Sequence, residues 1–405
     1  MDPQAQAHPP PSTPTAGGEL AIAAALALAA AVSLGLARFS YALLLPAMRA
    51  DLGWSYFTAG AMNTANAAGY LVGALLAPRI LRRWDARHFM LAGGAGAAAL
   101  MALHAVTRDD GALYLLRWAC GAASAASFVG GGLLAARLAQ RVPQRSGLVL
   151  GIYYGGVGLG IVACALGLPP LLDAPALGWP VAWAALGTLA LALTLATAAA
   201  TGSLAAPPAA GAARAPFRWQ PFAFGLTGYA MFGIGYIGYM TFIITLLREQ
   251  GLGAGTVAAF YTLLGLGVVA SSWLWAGLLQ RHRGGLPLSL LNGLLALATA
   301  LPLWSGSLAA VFASGLLFGG VFLSVVASTT ALVRHNTPPA VWPAGIAAFT
   351  IVFAFGQIVG PSVVGWIADG PGGLVRGFAL SAAALAMGSV LAAFQRPVRQ
   401  AVTSA

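Results

Sequence analysis

Lysine is absent from this chain and charge of either sign is scarce. Of 405 residues, 20 are basic, all of them arginine, and nine are acidic, so charged side chains make up 7%. An ordinary soluble domain carries roughly 25%, and that class is excluded. No Asp or Glu falls in the middle of any long apolar run; Glu19 and Asp369 come nearest, at run ends. That removes the carboxylate pair a hydrolytic site would use, and the usual intramembrane proton carrier as well. There are two cysteines, Cys120 and Cys164, both inside apolar runs, and small buried hydrophobes explain them better than a disulfide or a metal site. HExxH and Walker sequences are missing. Gly233, Gly235 and Gly238 match G-x-G-x-x-G in form, but no strand precedes them. No metal and no cofactor is expected.

What is present is apolar sequence: 59% of the chain is hydrophobic. A helix rises 1.5 Å per residue and a hydrocarbon core is about 30 Å thick, so some 20 residues suffice for one crossing. Twelve runs qualify, at 20–47, 55–79, 88–107, 111–136, 146–171, 178–200, 220–247, 254–279, 286–304, 307–333, 342–368 and 373–395. The reading is therefore an all-α polytopic membrane protein, with no room for a large soluble domain. Residues 1–18, with Pro9, Pro10, Pro11 and Pro14, read as a disordered cytoplasmic tail. The first run lacks the basic leader of a signal peptide and outlasts its core. Residues 19–201 form one six-helix bundle, 202–219 a Pro- and Gly-containing cytoplasmic linker, 220–395 a second bundle, and 396–405 a cytoplasmic tail. Two six-helix halves with a central linker point to secondary transport with a site between the halves near the midplane.

The net charge of +11 would suggest nucleic acid in a soluble protein. Here the arginines sort by loop. With both termini in the cytoplasm, fourteen fall on the inner side, among them Arg79, Arg82, Arg83, Arg87, Arg281 and Arg283. Only Arg49, Arg108, Arg248 and Arg376 fall outside, beside Asp51, Asp109, Asp110, Asp173, Glu249 and Asp369. This is a positive-inside pattern, giving N-in, C-in in a bacterial inner membrane, with lipid and not nucleic acid as the charge partner.

Arg38 and Arg117 remain inside apolar runs. From Ala21 to Leu45 the only charge is Arg38. An unpaired guanidinium at that depth costs at least a few kcal/mol on insertion scales. Either it snorkels to headgroups or carbonyls, or it faces a cavity and binds an anion or polar solute. On the N-in topology Arg38 lies about 8 Å and Arg117 about 10 Å outward of their helix centres. Asn63, Asn66 and Tyr70 share one face of the second helix. Tyr41 follows Arg38 by a turn, Tyr236 and Tyr239 are one turn apart, Gln357 sits mid-membrane, and Ser324 and Ser328 are a turn apart. Each alone is explained by hydrogen bonding between helices; as a set they suggest a cavity for a polar head and an apolar body. His104 and His335 read as interfacial residues at run ends. Gly151 with Gly155, and Gly156 with Gly160, permit close helix contact.

Four stretches resemble the major facilitator superfamily. Arg117 and Gly121 are similar to its R-x-x-x-G motif in the fourth span. Gly356, Gly360 and Pro361 are similar to its G-x-x-x-G-P pattern in the eleventh. Gly73 before the cluster Arg79, Arg82 and Arg83, and Gly277 before Arg281 and Arg283, resemble its repeated cytoplasmic loop. Residues 35–48, with Tyr236, Tyr239 and Phe242, resemble the YbfB/YjiJ branch. The resemblance spans residues 20–395 and implies twelve helices in two pseudo-symmetric bundles, alternating access, and first and fourth helices lining the cavity. Substrate contact is then expected from Arg38, Tyr41, Asn63, Asn66, Arg117, Tyr236, Tyr239 and Gln357. Gating or packing is expected from Gly121, Gly155, Gly156, Gly160, Gly360, Pro361, Arg82 and Arg281. For Arg117, gating by carbonyl contacts stands equal to substrate contact. Two guanidinium forks at one level favour a planar organic anion; efflux of amphipathic drugs or metabolites, and sugar transport, stay open. The loop motif's aspartate is absent, with Ala77 and Arg281 in its place, and the fifth span lacks the Gly-Pro of antiporters. Proton coupling, if present, is expected through the arginines or the substrate, and uncoupled transport is the alternative. A monomeric transporter is expected, rather than an enzyme or a sensor.

Overall fold

The computed structural model describes residues 16–174, 177–202, 204 and 216–398. The tail residues 1–15, most of the linker with Arg214, and residues 399–405 with Arg399 lie outside the described residues.

Twelve long helices account for most of the described chain, and no strand occurs among the described residues. The first half comprises α1 (Gly18–Leu52), α2 (Tyr56–Ile80), α3 (Ala86–Val106), α4 (Asp110–Arg141), α5 (Ser146–Gly167) and α6 (Gly178–Ala200). The second comprises α7 (Ala223–Glu249), α8 (Ala254–Leu274), α9 (Leu286–Trp304), α10 (Leu308–Asn336), α11 (Trp342–Ala368) and α12 (Gly373–Ala393). Helical structure begins at Ala16, inside the stretch expected to be tail. Eleven of the twelve are long and apolar enough to cross a membrane. The exception is α2, whose 25 residues include Asn63, Thr64 and Asn66 at its centre. This span thus carries two of the residues expected to face the site.

Two of the few acidic side chains are used at the starts of their own helices. Asp85 accepts from the Arg87 backbone N–H at 2.7 Å, and Asp109 from that of Ala112 at 2.8 Å, each satisfying an N–H that the first turn leaves unpaired. Ser55 and Ser307 do the same for α2 and α10. At the end of α1, Gly53 takes a left-handed φ of 66°, a conformation glycine adopts without steric cost.

Within α1, Ala31–Phe39 winds as a π-helix, with the Ser40 N–H bonded to the Gly35 carbonyl five residues back at 3.1 Å. Such segments are rare and often sit at functional sites; this one ends on Arg38 and Phe39. α5 packs closely on it: a Cβ on Gly35 would lie 2.6 Å from the Gly160 Cα.

In each half the helices pack as one bundle, α2 and α3 both on α4, α3 on α6, and α9 between α10 and α12. Two extensive seams join the halves, α2 against α11 and α5 against α8. The outer part of α1 also packs on α7, whereas α4 and α10 barely touch among the described residues. The halves therefore meet at the end holding Leu52, Tyr56, Glu249 and Asp369, here called the far end. Near the opposite end, where α1 and α7 begin and α6 and α12 finish, the α5–α8 seam still holds, with Gly151 of α5 close against Trp273 of α8.

Candidate functional site

Arg38 and Arg117 are both removed from the molecular surface, 5% and 1% exposed. Neither has a carboxylate partner among the described residues. Arg38 donates through Nη2 to the Oε1 of Gln357, from α1 across to α11. Its guanidinium carbon stands 5.7 Å from the centre of the Tyr70 ring. Arg117 is more tightly held: Nη1 donates to the Ala37 carbonyl at 3.1 Å, Nη2 reaches Asn63 Oδ1 at 3.5 Å, and the group lies 4.6 Å from the Tyr41 ring centre and 5.7 Å from that of Trp183. The two arginines are thus neighbours, Arg117 gripping the backbone one residue before Arg38. The Nε of each is buried with no acceptor among the described residues. A buried guanidinium held only by neutral partners stays uncompensated in charge and attracts an anion.

The surrounding groups divide. Asn63 donates from Nδ2 to Thr241 Oγ1 of α7 at 2.7 Å, a second bond between the halves. Asn66 donates to the Arg117 carbonyl at 3.1 Å. Tyr41 is bound by its hydroxyl to the Ala59 carbonyl at 2.9 Å, and its ring lies beneath Arg117, not Arg38. Tyr236 stacks with Phe232 and Phe353 at centroid separations of 4.7 and 5.5 Å and meets Phe322 at 6.0 Å, making an aromatic wall in the second half. Phe322 also meets Phe39, beside Arg38, at 5.7 Å. Tyr239 points elsewhere: its hydroxyl pairs with Ser314 Oγ at 2.7 Å and its ring stacks on Phe318 at 3.9 Å, within the second bundle. Ser324 and Ser328 donate to the Ser271 and Val325 carbonyls, again within that bundle.

His104, expected at an interface, is fully buried, stacked on Trp183 at 4.4 Å, with Nδ1 2.7 Å from the Leu100 carbonyl. Hydropathy placed it correctly near a helix end but could not register α6 folding over it. His335 is half-buried at the end of α10, 3.1 Å from the His282 carbonyl.

Of the packing residues, Gly121 abuts the Asn66 carbonyl, and a Cβ there would collide with it. Gly156 and Gly160 face α1, where Ala27 and Ala31 fill the space, whereas a Cβ on Gly155 would meet Val269 of α8 at 3.7 Å, an ordinary contact. Gly360 lies on α7 against Ile234, and the Pro361 carbonyl meets Gly60 across the seam. Arg82 and Arg281 are exposed.

Three features were not singled out from sequence. Asp369 at the end of α11 accepts from the backbone N–H groups of Tyr56 at 2.7 Å and Phe57 at 2.9 Å, so one half caps a helix of the other. Glu249 of α7 accepts from the Tyr56 hydroxyl and lies 3.9 Å from Arg49. Tyr261 of α8 donates to the Phe39 carbonyl at 2.7 Å. Together they close the far end over Arg38. The acids were visible as loop residues; which partner each meets depends on how the two halves dock.

A family model described as uncharacterised MFS-type transporter YbfB matches residues 30–393. Human Monocarboxylate transporter 11 is 28% identical over 96% of this chain and 85% of its own length. Among solved structures, a bacterial homolog of the human lysosomal transporter Spinster, inward-facing and unoccupied, superposes with a TM-score of 0.67 at 14% identity, covering 94% of this chain and 97% of that one. The nucleoside transporter NupG gives 0.66 at 15% identity, covering 92% of this chain and 96% of that one.

Proposed function

This chain belongs to the YbfB-type family of major facilitator transporters, a multi-pass membrane transporter and not an enzyme; on that premise we propose that its cargo is a small organic anion moved by alternating access. The observation that carries the reading is Arg38: a guanidinium between the halves, bonded to neutral Gln357 with no carboxylate to neutralise it. A carboxylate entering there gains a charge-assisted bond and relieves an uncompensated charge. The name of the human relative makes monocarboxylates the first class to test. The wall of Phe232, Tyr236, Phe322 and Phe353 suits an apolar body attached to that carboxylate, and by itself favours the second reading, export of amphipathic metabolites.

Arg38 and Gln357 come from opposite halves, so binding between them couples cargo to the relative position of the bundles. With the arginine-rich end taken as cytoplasmic in a bacterial inner membrane, the far end lies on the outer side, and the bonds of Asp369 and Glu249 to Tyr56 hold that side closed.

The test is a thermal-unfolding screen of purified protein against monocarboxylates, dicarboxylates, sugars, amines and nucleosides. A ligand at 100 times its Kd stabilises by about 2.7 kcal/mol. Carboxylates are expected to raise the midpoint in the intact protein and not in Arg38→Ala. Stabilisation by sugars or amines alone, undiminished in Arg38→Ala, would reject the anion reading.

A further inference from the structure

Away from the central site, a cleft of about 660 Å³ opens near the termini-bearing end of the first half. α2 and α3 each pack on α4 yet have no comparable packing against one another, and the cleft is the space between them. Ala123 and Ala126 of α4 form its floor and Phe89, Ala92 and Gly93 of α3 one wall. At its mouth stand Arg79, Arg82 and Arg83, with Trp84 52% exposed beside them. All three arginines are exposed, and none makes a side-chain ion pair or hydrogen bond among the described residues.

We propose that this cleft is a binding site for one anionic phospholipid, its phosphate held by Arg79, Arg82 and Arg83 and an acyl chain laid along the Ala123 and Ala126 floor. The chemistry divides along the cleft as it does along such a lipid. Unpaired forks suited to phosphate lie at headgroup level, Trp84 marks the interface, and a small-residue trough runs inward where the hydrocarbon begins. Basic pockets between transmembrane helices on the cytoplasmic side are recognised sites for anionic headgroups. The general surplus of arginine on this face attracts anionic lipid diffusely; the trough is what would hold a single molecule. The inference requires only a chain that spans a bilayer and is independent of what is transported.

The experiment uses full-length protein in nanodiscs of phosphatidylcholine, alone or with phosphatidylglycerol, read by native mass spectrometry for retained lipid and by thermal unfolding. The intact chain should retain one phosphatidylglycerol and unfold at higher temperature when it is present. With each surface arginine worth about 1 kcal/mol toward anionic lipid, the Arg79→Gln/Arg82→Gln/Arg83→Gln variant should bind on the order of a hundredfold more weakly. Arg141→Gln/Arg145→Gln/Arg283→Gln, which removes equal charge elsewhere on the same face, should retain the lipid. Ala92→Phe fills the trough from an exposed position and keeps every arginine; it should lose the lipid with the fold intact. Equal loss from both triple variants would show a diffuse charge effect and overturn the site, as would retention by Ala92→Phe. Absence of retained phosphatidylglycerol in the intact chain would overturn it too, leaving the cleft to another segment of the chain or to zwitterionic lipid.

Discussion

Arg38 of α1 donates its hydrogen bond to Gln357 of α11, 319 residues away and in the other half of the molecule. A cation is thereby placed at the interface between the halves with a partner that solvates it without cancelling its charge.

Gln357→Glu would supply the missing countercharge at nearly constant volume. The expected result is loss of carboxylate-dependent stabilisation and transport, with a midpoint in the absence of ligand equal to or above that of the intact protein, because the guanidinium gains an ionic partner. Retained transport of the same anion would show that the cargo does not use this fork. Arg38→Ala should also abolish transport while the protein inserts and folds.

Arg117 should behave differently. It is held by the Ala37 carbonyl, Asn63 and the Tyr41 ring, so Arg117→Ala leaves buried acceptors unpaired and opens a void. A loss of about 2–4 kcal/mol is expected. Arg117→Lys should recover only part of it, since an ammonium cannot reproduce the fork. Urea or thermal unfolding in detergent reads this directly, and an unchanged midpoint in Arg117→Ala would assign the residue to cargo and not to the scaffold.

Asp369 caps α2 from across the seam, and Glu249 joins Tyr56 and Arg49 there. A cap of this kind is worth about 0.5–2 kcal/mol, so Asp369→Asn combined with Glu249→Gln should shift the population several-fold toward a state open at the far end. Spin labels at Val106 and Leu308, exposed on opposite halves at that end, would report a longer distance component. Cys120 and Cys164 are buried and should remain unlabelled. An unchanged distance distribution would mean that the apolar seam alone holds this end closed.

Neighbouring glycines of α5 should separate by position. A Cβ on Gly156 would run into the Ala27 carbonyl, and Gly156→Ala should cost at least about 2 kcal/mol by forcing α1 and α5 apart. Gly155→Ala meets only Val269 at 3.7 Å and Trp273 at 3.9 Å, ordinary contacts, and should leave the unfolding midpoint nearly unchanged. Equal effects would show that the α1–α5 contact is loose.

The chain by itself determined the class of molecule. Runs of apolar residues long enough for a bilayer force helices, because backbone polar groups have no water to bond inside it. The few polar side chains inside those runs, Arg38, Asn63, Asn66, Arg117 and Gln357, stood out because each is costly there. Periodicity within one helix cannot say which residues of distant helices meet, so Tyr239 and His104 were indistinguishable from cavity-facing or interfacial groups until Ser314 and Trp183 were seen beside them. Only the tertiary structure decided that Tyr41 lies under Arg117, that Asp369 caps the opposite half, and that α2 and α3 part over α4. Those facts depend on the docking of two separately written bundles, which is set by close backbone approach at Gly60, Gly158 and Gly365 and not by any pattern local to one run.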